Sequence, residues 1–167
     1  MRDIARTLGT AFGLLLAPVF AGPAGAATPV VGSFTYSHPA PVPLPGRTLL
    51  PVPGAAILLV QGTFKGDSNL GPFTGEGAFL FDTSSFSYTG EFRWDFAGGS
   101  LRGNVSGQDY PVETPDGYLT TMVLTFTGGT GWFRGAAGLG ATGGTDHFDP
   151  EGTSAVRAVF TGTLLAR

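Results

Sequence analysis

The chain contains no cysteine. Disulfides, thiolate nucleophiles and cysteine-ligated zinc are therefore excluded, and packing must hold the fold together. Lysine occurs once, as Lys65, and the arginines form no cluster. With a net charge of -3, the chain has neither the basic footprint of a nucleic-acid binder nor a patch for an anionic membrane surface. Histidine occurs only at positions 38 and 147. Apolar periodicity of helical length is missing beyond the N-terminal segment. No apolar run reaches the ~20 residues of a membrane-spanning helix.

The N-terminus itself is patterned. Arg2 and Arg6 flank Asp3, an apolar stretch runs from Leu8 to Phe20, and small residues follow from Ala21 to Ala27. Ala24 and Ala26 match the small-residue pattern read by signal peptidase. Residues 1–26 are expected to be a cleaved signal peptide, which places the remainder in a secreted or periplasmic compartment. Pro18 and Pro23 interrupt the apolar run and argue against an uncleaved anchor.

The rest is rich in aromatics and glycine: 14 Phe, 2 Trp, 4 Tyr and 28 Gly in 167 residues. Residues 28–36 read as a first strand. Residues 37–54 carry six prolines; proline lacks the N–H that a ladder needs, so an extended connection is expected there. From residue 55 the pattern is period two with glycine punctuation. Strands are expected near 56–65, 72–82, 85–97, 100–107, 118–128, 138–148 and 155–165. With the first segment they make eight, the pattern of a sandwich or barrel. Glycines inside these strands permit the sharp coiling of a small closed barrel. One domain is expected over 55–167, joined by the strand within 27–54.

The pair 72–82 and 85–97 is the best-defined unit. Phe73, Gly75, Gly77, Phe79 and Phe81 share one face of the first strand. Phe86, Tyr88, Gly90, Phe92, Trp94 and Phe96 share one face of the second. A two-residue loop at Thr83-Ser84 would set Phe81 opposite Phe86, Phe79 opposite Tyr88 and Phe73 opposite Trp94, with glycines paired between the rings. That face is expected to be buried. Glu76, Glu91, Arg93 and Asp95 fall on the other.

The run Gly128-Gly129-Thr130-Gly131-Trp132-Phe133-Arg134-Gly135-Ala136-Ala137-Gly138 resembles the GGTGxFxxAxG-type stretch of the dirigent and allene-oxide-cyclase group of barrels. Gly128, Gly129, Thr130, Gly131, Phe133, Ala136 and Gly138 match its characteristic positions, and Arg134 fits the dirigent form. Exported bacterial proteins of unknown role carry a similar segment. The resemblance implies a closed, mostly antiparallel, eight-stranded all-β barrel. It also implies that some relatives are cyclases or isomerases that steer a reactive small molecule by shape, while others guide the coupling of radicals made elsewhere. Their catalytic residues lie outside the shared stretch, so the resemblance assigns none here.

Read physically, the run is structural. Two glycines allow positive φ. Thr130 could cap a helical turn through its hydroxyl. Phe133 would plug one barrel end, and Ala136 and Gly138 would let backbones approach. A phosphate-cradling loop is the sharper alternative, but the Lys-Ser/Thr ending of a P-loop is missing.

Glu76 and Glu91 lie near each other across the hairpin. Facing a cavity, they could act as acid and base; facing solvent, they would be a polar surface with Arg93 as ion-pair partner. A register shift of two would set Glu76 opposite Arg93 and favour the second reading. Glu76, Glu91, Arg93 and Tyr88 are the catalytic candidates if a cavity exists. Asp146-His147-Phe148-Asp149 offers a histidine between carboxylates, but a metal site needs three or four convergent ligands, and a strand-end turn is the simpler reading. No G-x-S-x-G context marks a serine nucleophile. No cofactor or metal is expected.

Three functional readings follow. An exported barrel that binds a small apolar molecule without chemistry predicts an apolar cavity lined by Phe and Tyr. A cyclase or isomerase predicts the same cavity with buried polar groups and a shifted carboxylate pKa. A filled barrel used as an interaction module predicts a solid interior and an exposed apolar patch, such as a dimer face. An outer-membrane barrel needs an apolar band on every strand, and segments 100–107 and 138–148 are too glycine-rich and polar for that; such barrels also usually finish on an aromatic residue, whereas this chain ends in Ala166-Arg167. The first reading is adopted, with the cyclase or isomerase as the alternative.

Overall fold

Period-two alternation of large and small side chains becomes eight long strands wound into one closed sheet. The computed structural model of the chain describes residues 27–44, 56–112, 117–147 and 153–165. Residues 1–26, the expected signal peptide, lie outside the described residues, as does most of the proline-rich connection. The strands are β1 (Ala27–His38), β2 (Val42–Pro43), β3 (Ile57–Ser68), β4 (Gly71–Asp82), β5 (Ser87–Phe96), β6 (Gly99–Pro111), β7 (Gly117–Gly129), β8 (Ala137–His147) and β9 (Ser154–Leu165). The neighbour order is β1-β9-β8-β7-β6-β5-β4-β3, all antiparallel, and β1 pairs with β3 to close the barrel. The expected all-β, eight-stranded barrel is the architecture observed.

One detail of the connection differs from expectation. Val42 and Pro43 pair with Leu59 and Leu58, extending the edge of β3 beyond the stretch that β1 occupies. A proline fits there because only one side of a two-residue edge strand needs a partner.

The hairpin register also differs. Its loop is the four residues 83–86, not two, with Asp82 opposite Ser87. The Asp82 carboxylate accepts hydrogen bonds from the Ser84 amide at 2.8 Å and hydroxyl at 2.6 Å, which holds its pKa below the ordinary carboxylate value. Thr83 ties the loop to the start of β3: its amide donates to the Ala56 carbonyl, and its hydroxyl accepts from the Ala56 amide. Phe86 absorbs the turn with φ +55°, the one positive value at a non-glycine among the described residues.

Every pairing moves by two as a result. Phe79 sits opposite Gly90, Trp94 opposite Gly75, and Phe92 opposite Gly77. In the middle of the hairpin rings therefore lie over glycines, while Phe73 faces Phe96 and Phe81 faces Tyr88. A Cβ added at Gly90 would stand 2.6 Å from the Phe79 ring, so the glycine makes room for it. The shared faces themselves are as expected, and both turn inward.

The inward faces make an aromatic core that is densest at one end of the barrel. Trp94 is 1% exposed and meets six rings, those of Phe34, Phe64, Phe73, Phe92, Phe126 and Phe160, with centroids 4.6–6.1 Å away. Such tilted and edge-on pairs add stabilisation beyond area burial, about 0.5–1.5 kcal/mol each.

The Gly128–Gly138 run sits at this end. Gly131–Phe133 forms one 3₁₀ turn between β7 and β8. Gly128 and Gly131 have φ of +150° and +57°, values that favour glycine. Phe133 is buried with its ring 5.0 Å from that of Phe96. Thr130 does not cap the turn through its side chain. Its hydroxyl instead accepts from the Ser100 amide at 3.0 Å and shares a 2.8 Å hydrogen bond with the Ser100 hydroxyl, tying the turn to β6. The amides of Thr130, Trp132, Phe133, Arg134 and Ala136 all donate to backbone carbonyls. A phosphate cradle would need those donors free, so the run is a structural closure.

Candidate functional site

At the other end the interior opens into a cavity of about 270 Å³. An eight-stranded barrel has just enough internal width to be filled by side chains or to hold one small ligand. Here side chains fill the Trp94 end, and this end is left open. Tyr36, Phe79, Phe81, Phe86 and Tyr88 supply most of the aromatic wall, with Val60, Met122 and Val156 as aliphatic patches.

Into this apolar wall project polar groups from five strands: His38 at the end of β1, Tyr88 on β5, Asp109 on β6, Thr120 on β7 and Asp146 on β8. Asp109 lies directly opposite Thr120, and Asp146 directly opposite Tyr118. The Tyr88 and Thr120 hydroxyls are 2.6 Å apart. Thr120 also hydrogen-bonds the Asp109 carboxyl. A hydroxyl has a single proton; if Thr120 gives it to Asp109, Tyr88 must donate to Thr120, making a relay Tyr88–Thr120–Asp109. His38 has Nδ1 2.9 Å from the Pro39 carbonyl oxygen. A carbonyl can only accept, so Nδ1 carries the proton.

Burial sets the electrostatics. Desolvation pushes the Asp109 carboxyl up to about 6; the hydrogen bond from Thr120 opposes this, and the charge of Asp146 adds to it. Asp146 is raised by desolvation too, with the charge of His38 pulling the other way. The phenols of Tyr88 and Tyr36 rise for the same desolvation reason. Asp109 is only 8% exposed. One oxygen of each aspartate, Oδ1, is buried with no hydrogen-bond partner, a state costing about 1–3 kcal/mol per group or more when charged.

The sequence-derived candidates divide sharply. Tyr88 lines the cavity. Glu76, Glu91 and Arg93 do not: all three are exposed on the outer wall, because period two sends them out when Phe79, Phe92 and Trp94 point in. Glu76 stands opposite Arg93, as the two-residue shift requires, whereas Glu91 stands opposite Ala78. Arg93 pairs with neither glutamate. Its guanidinium meets Asp95, with Nε at 2.9 Å and a terminal nitrogen at 2.8 Å. Asp146 is not in a turn either. β8 runs on to His147, so Asp146 points inward and His147 outward. Phe148 and Asp149 lie outside the described residues. Among the described residues no three His, Cys, Asp or Glu side chains converge to hold a metal ion.

Sequence reasoning missed Asp109 and Thr120, although a signal existed. Asp109 continues the inward series Leu101, Gly103, Val105, Gly107 of β6, and Thr120 precedes Met122, Leu124 and Phe126 on the inward face of β7. Ending the sixth strand at 107 hid the aspartate.

A larger concavity of about 830 Å³ lies elsewhere, as an open saddle on the outer wall bearing Lys65, Asp67, Asp95 and Arg157. Its charges are mixed and it encloses nothing. No family model, curated protein or solved structure matches the chain.

Proposed function

We propose that the protein is an exported barrel that binds one small, largely apolar molecule in the cavity at the Tyr88 end. The observation that carries this reading is the cavity itself: an aromatic wall interrupted by a few convergent polar groups, the usual composition of a small-molecule site. An apolar cavity of about 150 Å³ accommodates benzene. A cavity of about 270 Å³ therefore suits a single ring with a short side chain. Export rests on the signal-like segment 1–26.

Titration calorimetry of the purified protein with toluene and 2-phenylethanol tests the reading. Both are expected to bind. Val60→Trp, which puts an indole into the cavity, is expected to abolish binding while circular dichroism shows the barrel intact. Equal heats for wild type and Val60→Trp would mean the ligands sit elsewhere and would end the proposal.

A second reading, a cyclase or isomerase resembling the allene-oxide-cyclase and dirigent group, draws support from one feature. A buried carboxyl with a pKa of about 6 is poised to exchange protons near neutral pH. In deuterium oxide, an acid–base site would exchange the α-hydrogens of bound phenylacetone. The C–H proton would pass to Asp109 and a deuteron would return to carbon. Exchange that persists in Asp109→Asn, or none at all, removes this reading and leaves a binding protein.

A further inference from the structure

The cavity carries more negative charge than a neutral guest needs. Asp109 and Asp146 both line it, and each holds an Oδ1 that is buried and without a hydrogen-bond partner. No lysine or arginine lines it among the described residues. His38 is the basic group there, and its Nδ1 proton is committed to Pro39. A neutral ligand with a carbonyl or ether oxygen would use one donated proton, from one carboxylic acid. It would leave the second aspartate unexplained. A cation uses both: two carboxylates in a low-dielectric site repel each other until a positive charge comes between them. The surrounding rings of Tyr36, Phe79, Phe81, Phe86 and Tyr88 present π faces that attract an ammonium group and equally suit an apolar body.

We infer that Asp109 and Asp146 form a subsite for the ammonium end of a small apolar amine, whose hydrocarbon part fills the aromatic section of the cavity. This rests on the reading of the cavity as a ligand site and names the ligand's chemical class. Among the described residues no third metal-ligating side chain joins the pair, so an organic cation fits better than a metal ion. Tyr88 shares a 2.6 Å hydrogen bond with Thr120, which stands opposite Asp109, and the outward His147 together with His38 bears on Asp146.

The sign of the pH dependence separates an amine from a neutral acceptor. An ammonium group needs ionised carboxylates, so its affinity rises between pH 5 and pH 8, through the pKa of Asp109. A neutral acceptor needs a protonated carboxyl, so its affinity falls over the same range. The groups that face the pair are Tyr36 and His38 of β1, Tyr88 of β5, and Tyr118 and Thr120 of β7.

The experiment compares three probes of one shape by titration calorimetry: phenethylamine, 2-phenylethanol and phenylacetate. At pH 8 phenethylamine is expected to bind about tenfold or more tightly than 2-phenylethanol, the factor typical of a hydrogen bond to a charged group, and phenylacetate is expected not to bind. Asp109→Asn and Asp146→Asn should each erase most of the amine's advantage over 2-phenylethanol. Glu91→Gln, on the outer wall, should change neither. If 2-phenylethanol binds and the amine binds no better, or binds better at pH 5 than at pH 8, the inference is overturned and the cavity reading survives. If no probe binds the wild type, the cavity reading fails and the inference fails with it.

Discussion

Trp94 and Tyr88 lie six residues apart on the inward face of one strand, yet they belong to opposite kinds of interior. Trp94 is enclosed by six rings, and its end of the barrel is stoppered by Phe133 and the glycine-rich turn. Tyr88 looks into open space beside two aspartates. At the Trp94 end the rings dominate the interior, the Trp94 Nε1 being a buried polar atom without a hydrogen-bond partner, and dispersion and apolar burial act together. At the Tyr88 end desolvated carboxylates oppose folding. A fold tolerates such a burden where function needs it, and the packed end supplies the stability that offsets it.

The largest effect should come from the packed end. Trp94→Ala is expected to cost about 3–5 kcal/mol, read as a lower midpoint in guanidinium unfolding with the slope unchanged. If the loss is under 1 kcal/mol, the ring cluster is not the anchor and the contrast between the ends collapses.

The second effect has the opposite sign. The folded-state pKa of Asp109 is about 6 against an ordinary value of 3.8, so the native state binds a proton more tightly than the unfolded chain does. Stability therefore rises as pH falls from about 7 toward 4. Removing the charge by Asp109→Asn should stabilise the protein at pH 7–8 by up to about 3 kcal/mol, from roughly two pKa units at 1.36 kcal/mol each. The gain should vanish near pH 4, where the aspartate is neutral in the fold. A variant less stable than wild type at pH 8 would show that the carboxylate is satisfied and the site is not under strain.

The smallest effect sharpens the closure of the packed end. Thr130→Val leaves the Ser100 amide and hydroxyl without their partner and should cost about 1–2 kcal/mol. Binding of 2-phenylethanol at the far end should not change. A loss of binding would couple the two ends and contradict their separation.

Much of this contrast was readable in the chain. Phe73, Phe79, Phe92 and Trp94 fall on one face by simple alternation, and the same alternation carries Glu76, Glu91 and Arg93 outward. The eight-strand count follows from turn residues at regular intervals. Asp109 was harder to see. An aspartate two residues past an apolar series resembles the polar end of a strand, and only the pairing of β6 with β7 as far as Pro111 carries it into the interior. Asp146 looked like part of a turn for the same reason.

By itself the sequence determined the strands, their inward faces and the all-β class, because these depend on a period of two that is local to each segment. The tertiary structure alone decided the register of the β4–β5 hairpin: the Asp82 bonds to Ser84 are local, but Thr83 is tied to Ala56 ahead of β3, and Phe79 fits over Gly90 only once the two strands pair. It alone decided which end is filled and which is open. It also made Asp109 and Asp146 unusual, because a carboxylate is desolvated only when the barrel closes around it.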